Sequence, residues 1–236
     1  MTSPGLLPSF FLHLAELRSR ALKSLGAFLL AAGFCFHYAD RLLAWLVKPA
    51  GHLVFTSPSG GFSAVMTVTM VMAFLISAPV ILYQAWAFVA AALNARERKF
   101  IFVFAPLSLL FFCLGVAFAF FVAVPLAYKF LMGFTSDYLT PMITVDSYLA
   151  FVGNMVVAFG VTFELPLAMA FLARIGIATP EFLRQKRRHA IMIILIVAAV
   201  ATPPDIASQL LLAVPLMALY EVGIVLVRMA YKPKTP

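Results

Sequence analysis

Apolar residues in this chain neither alternate with polar ones, as in a half-buried strand, nor keep to a single helical stripe. They continue turn after turn. A helix crosses about 30 Å of hydrocarbon with about 20 such residues. The runs at 21–47, 63–93, 100–128, 148–173 and 208–227 suit that task, and a shorter run lies at 190–201. The pattern predicts six transmembrane helices in one membrane domain, joined by connections at 48–62, 94–99, 129–147, 174–189 and 202–207. The first run ends in "RLLAWLV", which reads as a short amphipathic segment bending along the outer interface. Pro79 marks a kink in the second.

The fifth run is too short to cross alone, since its apolar residues reach only about 18 Å. Pro203 and Pro204 stop the helix there. Two readings stand: a buried re-entrant segment, or a short pair of fifth and sixth helices that thins the bilayer. Upstream of the first span, Phe10, Leu14, Leu17 and Ala21 recur at helical spacing and give one apolar stripe. His13, Glu16 and Arg20 share another face. The segment 1–20 does not read as a cleavable signal, because Glu16 and several basic residues follow its short apolar patch.

Composition makes lipid the required solvent. Hydrophobic residues are 64% of the 236 and charged ones 11%, against about 45–50% and about 25% in soluble domains. A net charge of +8 would suggest nucleic acid in a soluble protein; here it belongs to cytoplasmic loops. Arg18, Arg20 and Lys23 precede the first span, and Arg96, Arg98 and Lys99 join the second to the third. Arg174, Arg184, Lys186, Arg187 and Arg188 join the fourth to the fifth, and Arg228, Lys232 and Lys234 end the chain. Only Arg41, Lys48 and Lys129 fall on the other side. Both termini, including the tail 228–236, are therefore expected in the cytoplasm.

Catalytic motifs are missing. No H-E-x-x-H pair, phosphate-binding glycine loop or nucleophile elbow occurs, and the four histidines are scattered. Cys35 and Cys113 sit in apolar runs as small hydrophobes. No enzymatic activity, cofactor or metal site is expected. The nine acids say more. Asp40, Asp137, Asp146 and Glu181 lie in or beside loops, where a solvated carboxylate needs no explanation. Glu221 is two turns from Arg228 and reads as structural. Glu164 lies in the greasy stretch "AFGVTFELPLAMAF". A charge at a helix centre costs about 2.5–3.5 kcal/mol on insertion scales. It is retained by facing a protein-lined cavity, or satisfied by a hydrogen bond from Thr162 or another helix. Glu16 and Glu97 sit among arginines at the cytoplasmic end.

Six stretches carry a family resemblance: "HLAELRSR" at 13–20, "SAPVILYQAWAF" at 77–88, "RERK" at 96–99, "GVAFAFFVAVP" at 115–125, "FGVTFELP" at 159–166 and "ATPPDIASQ" at 201–209. In this order, and over almost the whole chain, they resemble the TatC family, the polytopic subunit of the twin-arginine protein translocase. The resemblance implies an all-α, cup-shaped bundle of six helices in a bacterial-type inner membrane. It also implies a receptor that binds signal peptides with two consecutive arginines and serves export of folded proteins driven by the proton-motive force. Glu16, Arg18, Glu97 and Arg98 match the family's inner-face recognition motifs, with Phe88 at a neighbouring position. Carboxylates suit arginine because a guanidinium presents a planar fork that they accept in two bonds; Arg18 and Arg98 then orient the acids.

Pro49 matches a family position at the outer end of the first span. For Glu164 the resemblance implies a buried polar site on the concave face, used by the signal peptide's apolar segment or by single-span partner subunits of the TatA and TatB type. Thr202, Asp205 and Gln209 match the outer turn, next to a docking edge for those partners. Self-association within the receptor complex is implied as well. The chain departs from many relatives at Ala91 and Asn94, where those resemble one another in having proline and an aromatic residue; this predicts a second helix that runs further before its loop. The residues alone leave one alternative, a proton-coupled secondary transporter with Glu164 as its proton site.

Overall fold

The computed structural model describes residues 6–48, 53–133, 142–201 and 206–231. Helix α1 (Leu6–His37) is followed after Tyr38 by α2 (Ala39–Val47), so the first apolar run is two helices. Next come α3 (Gly60–Ala91) and α4 (Ala95–Phe118), which passes through a π-helical turn (Ala119–Ala123) into α5 (Val124–Met132). The fourth span is α6 (Val145–Thr162) plus α7 (Glu164–Arg174). A short α8 (Pro180–Gln185) leads to α9 (Arg187–Ala201) and α10 (Ile206–Ala230).

Among the described residues, five segments are long and apolar enough to cross a membrane: His13–His37, Gly60–Ala91, Arg98–Met132, Val145–Arg174 and Leu212–Ala230. The remaining helix, α9, has 15 residues and reaches about 22 Å, the short fifth helix of the pattern. The sixth was expected to be short too. As α10 it has 25 residues. The second helix, expected over 63–93, is α3 and stops at Ala91, where the Ala92 N–H bonds back to the Val89 and Ala90 carbonyls.

Prolines account for two irregularities. Pro166 has no N–H for the Thr162 carbonyl and its ring crowds that oxygen, and the fourth span breaks between Thr162 and Glu164. Pro125 stands in the same relation to Phe121, which lies in the π-helical turn; widening the helix there makes room for the ring.

The fourth span is the hub. Of its most apolar window 56% is buried, against 11% for the first span. Helices α3 and α4 pack on α6, α1 lies along α3, and α7 packs on α10, which in turn carries α9. Phe159, Met155, Leu212 and Leu216 are among the fully buried side chains of this core. At the end opposite the N-terminus, α2 is held by Tyr148, whose hydroxyl donates to the Leu46 carbonyl at 3.3 Å. Trp45 stacks on Phe120 at 4.9 Å. An isolated parallel bridge joins Val54 to Thr144, tying the two long connections together.

Small residues allow the closest crossings. A Cβ on Gly115 would stand 2.6 Å from the Phe159 carbonyl oxygen, which is backbone and cannot yield, and a Cβ on Gly153 would meet Val71 Cγ2 at 2.6 Å. Gly115→Ala is expected to destabilise the detergent-solubilised protein by about 1–3 kcal/mol, measured as a lower thermal unfolding midpoint. Gly33→Ala, with nothing within 4 Å of the new methyl, should not lower it.

Candidate functional site

At the end of the bundle that carries the N-terminus, α1 runs against the last turns of α3. His13 lies flat on Phe88, with ring centroids 4.4 Å apart and planes 26° from parallel. One turn further along α1 is Glu16, and one turn beyond that Arg20. Arg20 donates from Nε (3.0 Å) and Nη2 (2.6 Å) to Glu16 Oε1, and from Nη1 to Gln84 Oε1 on α3 at 3.2 Å. Gln84 and Phe88 are four apart on α3, as Glu16 and Arg20 are on α1, so matching faces meet. Helical spacing had grouped His13, Glu16 and Arg20; of their partners on α3, Phe88 was implied by the resemblance, whereas Gln84 was not singled out.

A turn at 92–94 reverses the chain into α4, and Glu97 and Arg98 fall in its first turn rather than in a loop. The Arg98 N–H bonds to the Asn94 carbonyl at 3.0 Å. An acid in this position favours a helix N-terminus. The Glu97 side chain lies outside the described atoms. Arg18 is exposed. Arg20 and Arg98 line one groove between α3 and α4, which puts the Glu16–Arg20 pair and the neighbour of Glu97 beside a common opening.

Glu164 opens α7, immediately after the break enforced by Pro166. The break is slight, since the Phe163 N–H still bonds to the Phe159 carbonyl at 2.9 Å. Ser108, fully buried on α4, donates to Glu164 Oε2 at 2.6 Å. Glu164 Oε1 is buried and has no hydrogen-bond partner among the described residues. Thr162, the donor suggested by proximity in sequence, instead bonds to the Ala158 carbonyl at 2.6 Å. Glu164 thus faces the α4–α7 contact, and it does not line the apolar cavity of about 380 Å³ between α2, α3, α4 and α6.

Elsewhere, Gln209 donates to the Leu195 carbonyl at 3.0 Å and clamps α10 to α9. Glu221, read as structural, pairs with Arg187 at 2.7 Å, because the start of α9 packs beside α10. Pro49, Thr202, Asp205 and Asp137 lie outside the described residues.

The family described as Sec-independent protein translocase protein (TatC) matches residues 12–215. Among curated proteins, the Sec-independent protein translocase protein TatC of Aquifex aeolicus is 39% identical, with 94% of this chain and 95% of that protein covered. The protein of the same name from Carboxydothermus hydrogenoformans is 37% identical, covering 96% and 95%. That from Escherichia coli is 36% identical, covering 90% and 85%. A crystal structure described as twin arginine translocase receptor TatC superposes with a TM-score of 0.84 at 38% identity, covering 92% of this chain and 99% of that one.

Ser108→Ala removes the donor that the structure gives Glu164 Oε2. Stability should fall by about 1–2 kcal/mol, read from thermal unfolding in detergent. Glu164→Gln keeps an acceptor for Ser108 and should cost less. A Ser108→Ala protein as stable as the parent would show that this bond contributes nothing.

Proposed function

Because this chain belongs to the TatC family of Sec-independent protein translocase proteins, a non-enzymatic family of membrane translocase components, we propose that it is the receptor and core scaffold of a twin-arginine translocase. In this reading both termini are cytoplasmic. The end of the bundle bearing Glu16, Arg18, Phe88, Glu97 and Arg98 binds signal peptides with two consecutive arginines. Single-span partner subunits of the TatA and TatB type join it along the edge near Thr202, Asp205 and Gln209, with Glu164 as a polar contact inside the membrane. Export of folded cargo then draws on the proton-motive force.

One observation carries the proposal: Glu16 already receives a guanidinium. Arg20 places two N–H groups on Glu16 Oε1 and a third on Gln84, which supports this corner of the bundle as an acceptor for arginine. The pair is only partly buried. Exposed pairs at this spacing contribute about 0.3–0.5 kcal/mol, so an arriving arginine has little to displace. The location of lysines and arginines along the chain supports the orientation. A proton-coupled transporter would need a solute site at broken helices of two related halves; family membership leaves that reading without support.

The test uses the full chain in nanodiscs and a photoreactive twin-arginine signal peptide. Removing a carboxylate that accepts charge-assisted bonds, worth about 1.5–3 kcal/mol, should weaken binding about ten- to a hundredfold in Glu16→Ala or Glu97→Ala. Replacing both peptide arginines with lysine should have a similar effect. Crosslinking of undiminished strength in both variants would remove these acids from the site.

A further inference from the structure

The groove between α3 and α4 has a volume of about 470 Å³ and a polarised shape. Arg20 and Arg98 stand at one end, and none of the described residues lining it is a carboxylate. Beyond them the walls are apolar and aromatic: Tyr83 and Trp86 from α3, Phe102 and Ala105 from α4, closing at Pro79, Pro106 and Leu109. It opens sideways toward lipid, since Tyr83 is 63% and Phe102 82% exposed. From Arg98 to Leu109 the helix rises about 16 Å, close to half of the roughly 30 Å hydrocarbon thickness. The groove therefore has the depth of one leaflet.

Charge at its mouth is uneven. Glu16 offsets Arg20, whereas Arg98 has no carboxylate partner among the described residues, and the next residue, Lys99, is exposed. Below the arginines the walls carry the Tyr83 hydroxyl and the Trp86 indole N–H among otherwise apolar side chains. A cationic mouth above an apolar slot of leaflet depth matches a phosphate carrying a hydrocarbon chain.

We propose that this groove binds an anionic glycerophospholipid, with its phosphate at Arg98 and Arg20 and one acyl chain along Phe102, Ala105 and Leu109. The guanidinium fork suits phosphate oxygens, and the aromatic walls pack along the chain. Only the choice of leaflet rests on the orientation proposed above. Arg98 belongs to the proposed peptide site as well, so lipid and peptide share this mouth; the experiment below contains no peptide, and its outcome does not depend on the receptor reading.

The experiment is native mass spectrometry of the full chain released from nanodiscs made of equal phosphatidylglycerol and phosphatidylcholine, with no peptide present. Phosphatidylglycerol should be retained in several-fold excess. Arg98→Gln should bring the two lipids toward equality. Ala105→Phe, and independently Ala87→Phe from the other wall, should lower retention of both. Leu30→Phe, on the lipid-facing side of α1, serves as the control and should change nothing. Equal retention of the two lipids by the unmodified chain would overturn the proposal, as would an excess that survives both Arg98→Gln and Ala105→Phe. Displacement of the lipid by inorganic phosphate alone would point to a free-anion site and also overturn it. So would photolabelling at Ala105 by an apolar peptide in protein that retains no lipid.

Discussion

Hydrocarbon neither donates nor accepts hydrogen bonds, and every backbone polar group inside it must be satisfied by the chain itself. The described residues obey this closely. They are helical through each apolar span, and their single isolated bridge, Val54 to Thr144, lies among the connections at the end opposite the N-terminus. Where regular helix fails inside a span, a proline three or four residues on explains it, and the disturbance is local: a π-helical turn ahead of Pro125, and a break ahead of Pro166. Glu164 is the first residue of the helix that follows this break.

The same constraint sorts the acids. Inside the span, Glu164 is kept by a fixed serine hydroxyl. Nearer the ends of the helices, carboxylates meet guanidiniums instead: Glu16 with Arg20, and Glu221 with Arg187. These pairs differ in kind from a buried one. A buried ion pair is strongly resistant to loss of one partner, whereas a partly solvated pair is held weakly. A surface meant to exchange one arginine for another is better built from the second sort. The Glu16–Arg20 pair, bordered by His13 on Phe88, has that character.

Much of the architecture could be read from the sequence because a spanning helix announces itself by continuous apolar length, and six such runs were legible. What the sequence withheld depends on contacts between distant segments. Ser108 is 56 residues from Glu164, and an isolated serine in an apolar run gives no sign of what it faces; proximity pointed to Thr162, which turns back to its own helix. Arg228 was nearer Glu221 in sequence than Arg187, but packing of α9 beside α10 decides the partner. The end of α3, expected at 93, falls at Ala91, because the chain turns at 92–94 to run α4 back alongside α3. The oddity of Glu164 and the shared face of His13, Glu16 and Arg20 were visible beforehand, being properties of single segments.

Geometry around Glu16 also bears on why arginine, and arginine in pairs, would be read there. Arg20 uses three N–H groups of one plane at once, two on Glu16 and one on Gln84. A lysine ammonium is a compact point charge on a flexible stem, and it cannot span the two acceptors with a rigid fork. Recognition of two consecutive arginines adds a further demand. In an extended peptide, neighbouring side chains point to opposite sides, so two acids on a single helix face would serve only one of them. Acceptors for both must come from different elements that flank the peptide. Glu16 on α1 and Glu97 in the first turn of α4 meet that requirement at the level of the backbone, since Arg20 and Arg98 beside them border the same groove. The antiparallel return of α4 along α3 creates this separation, so in the proposed recognition the turn at 92–94 sets the gap between the walls.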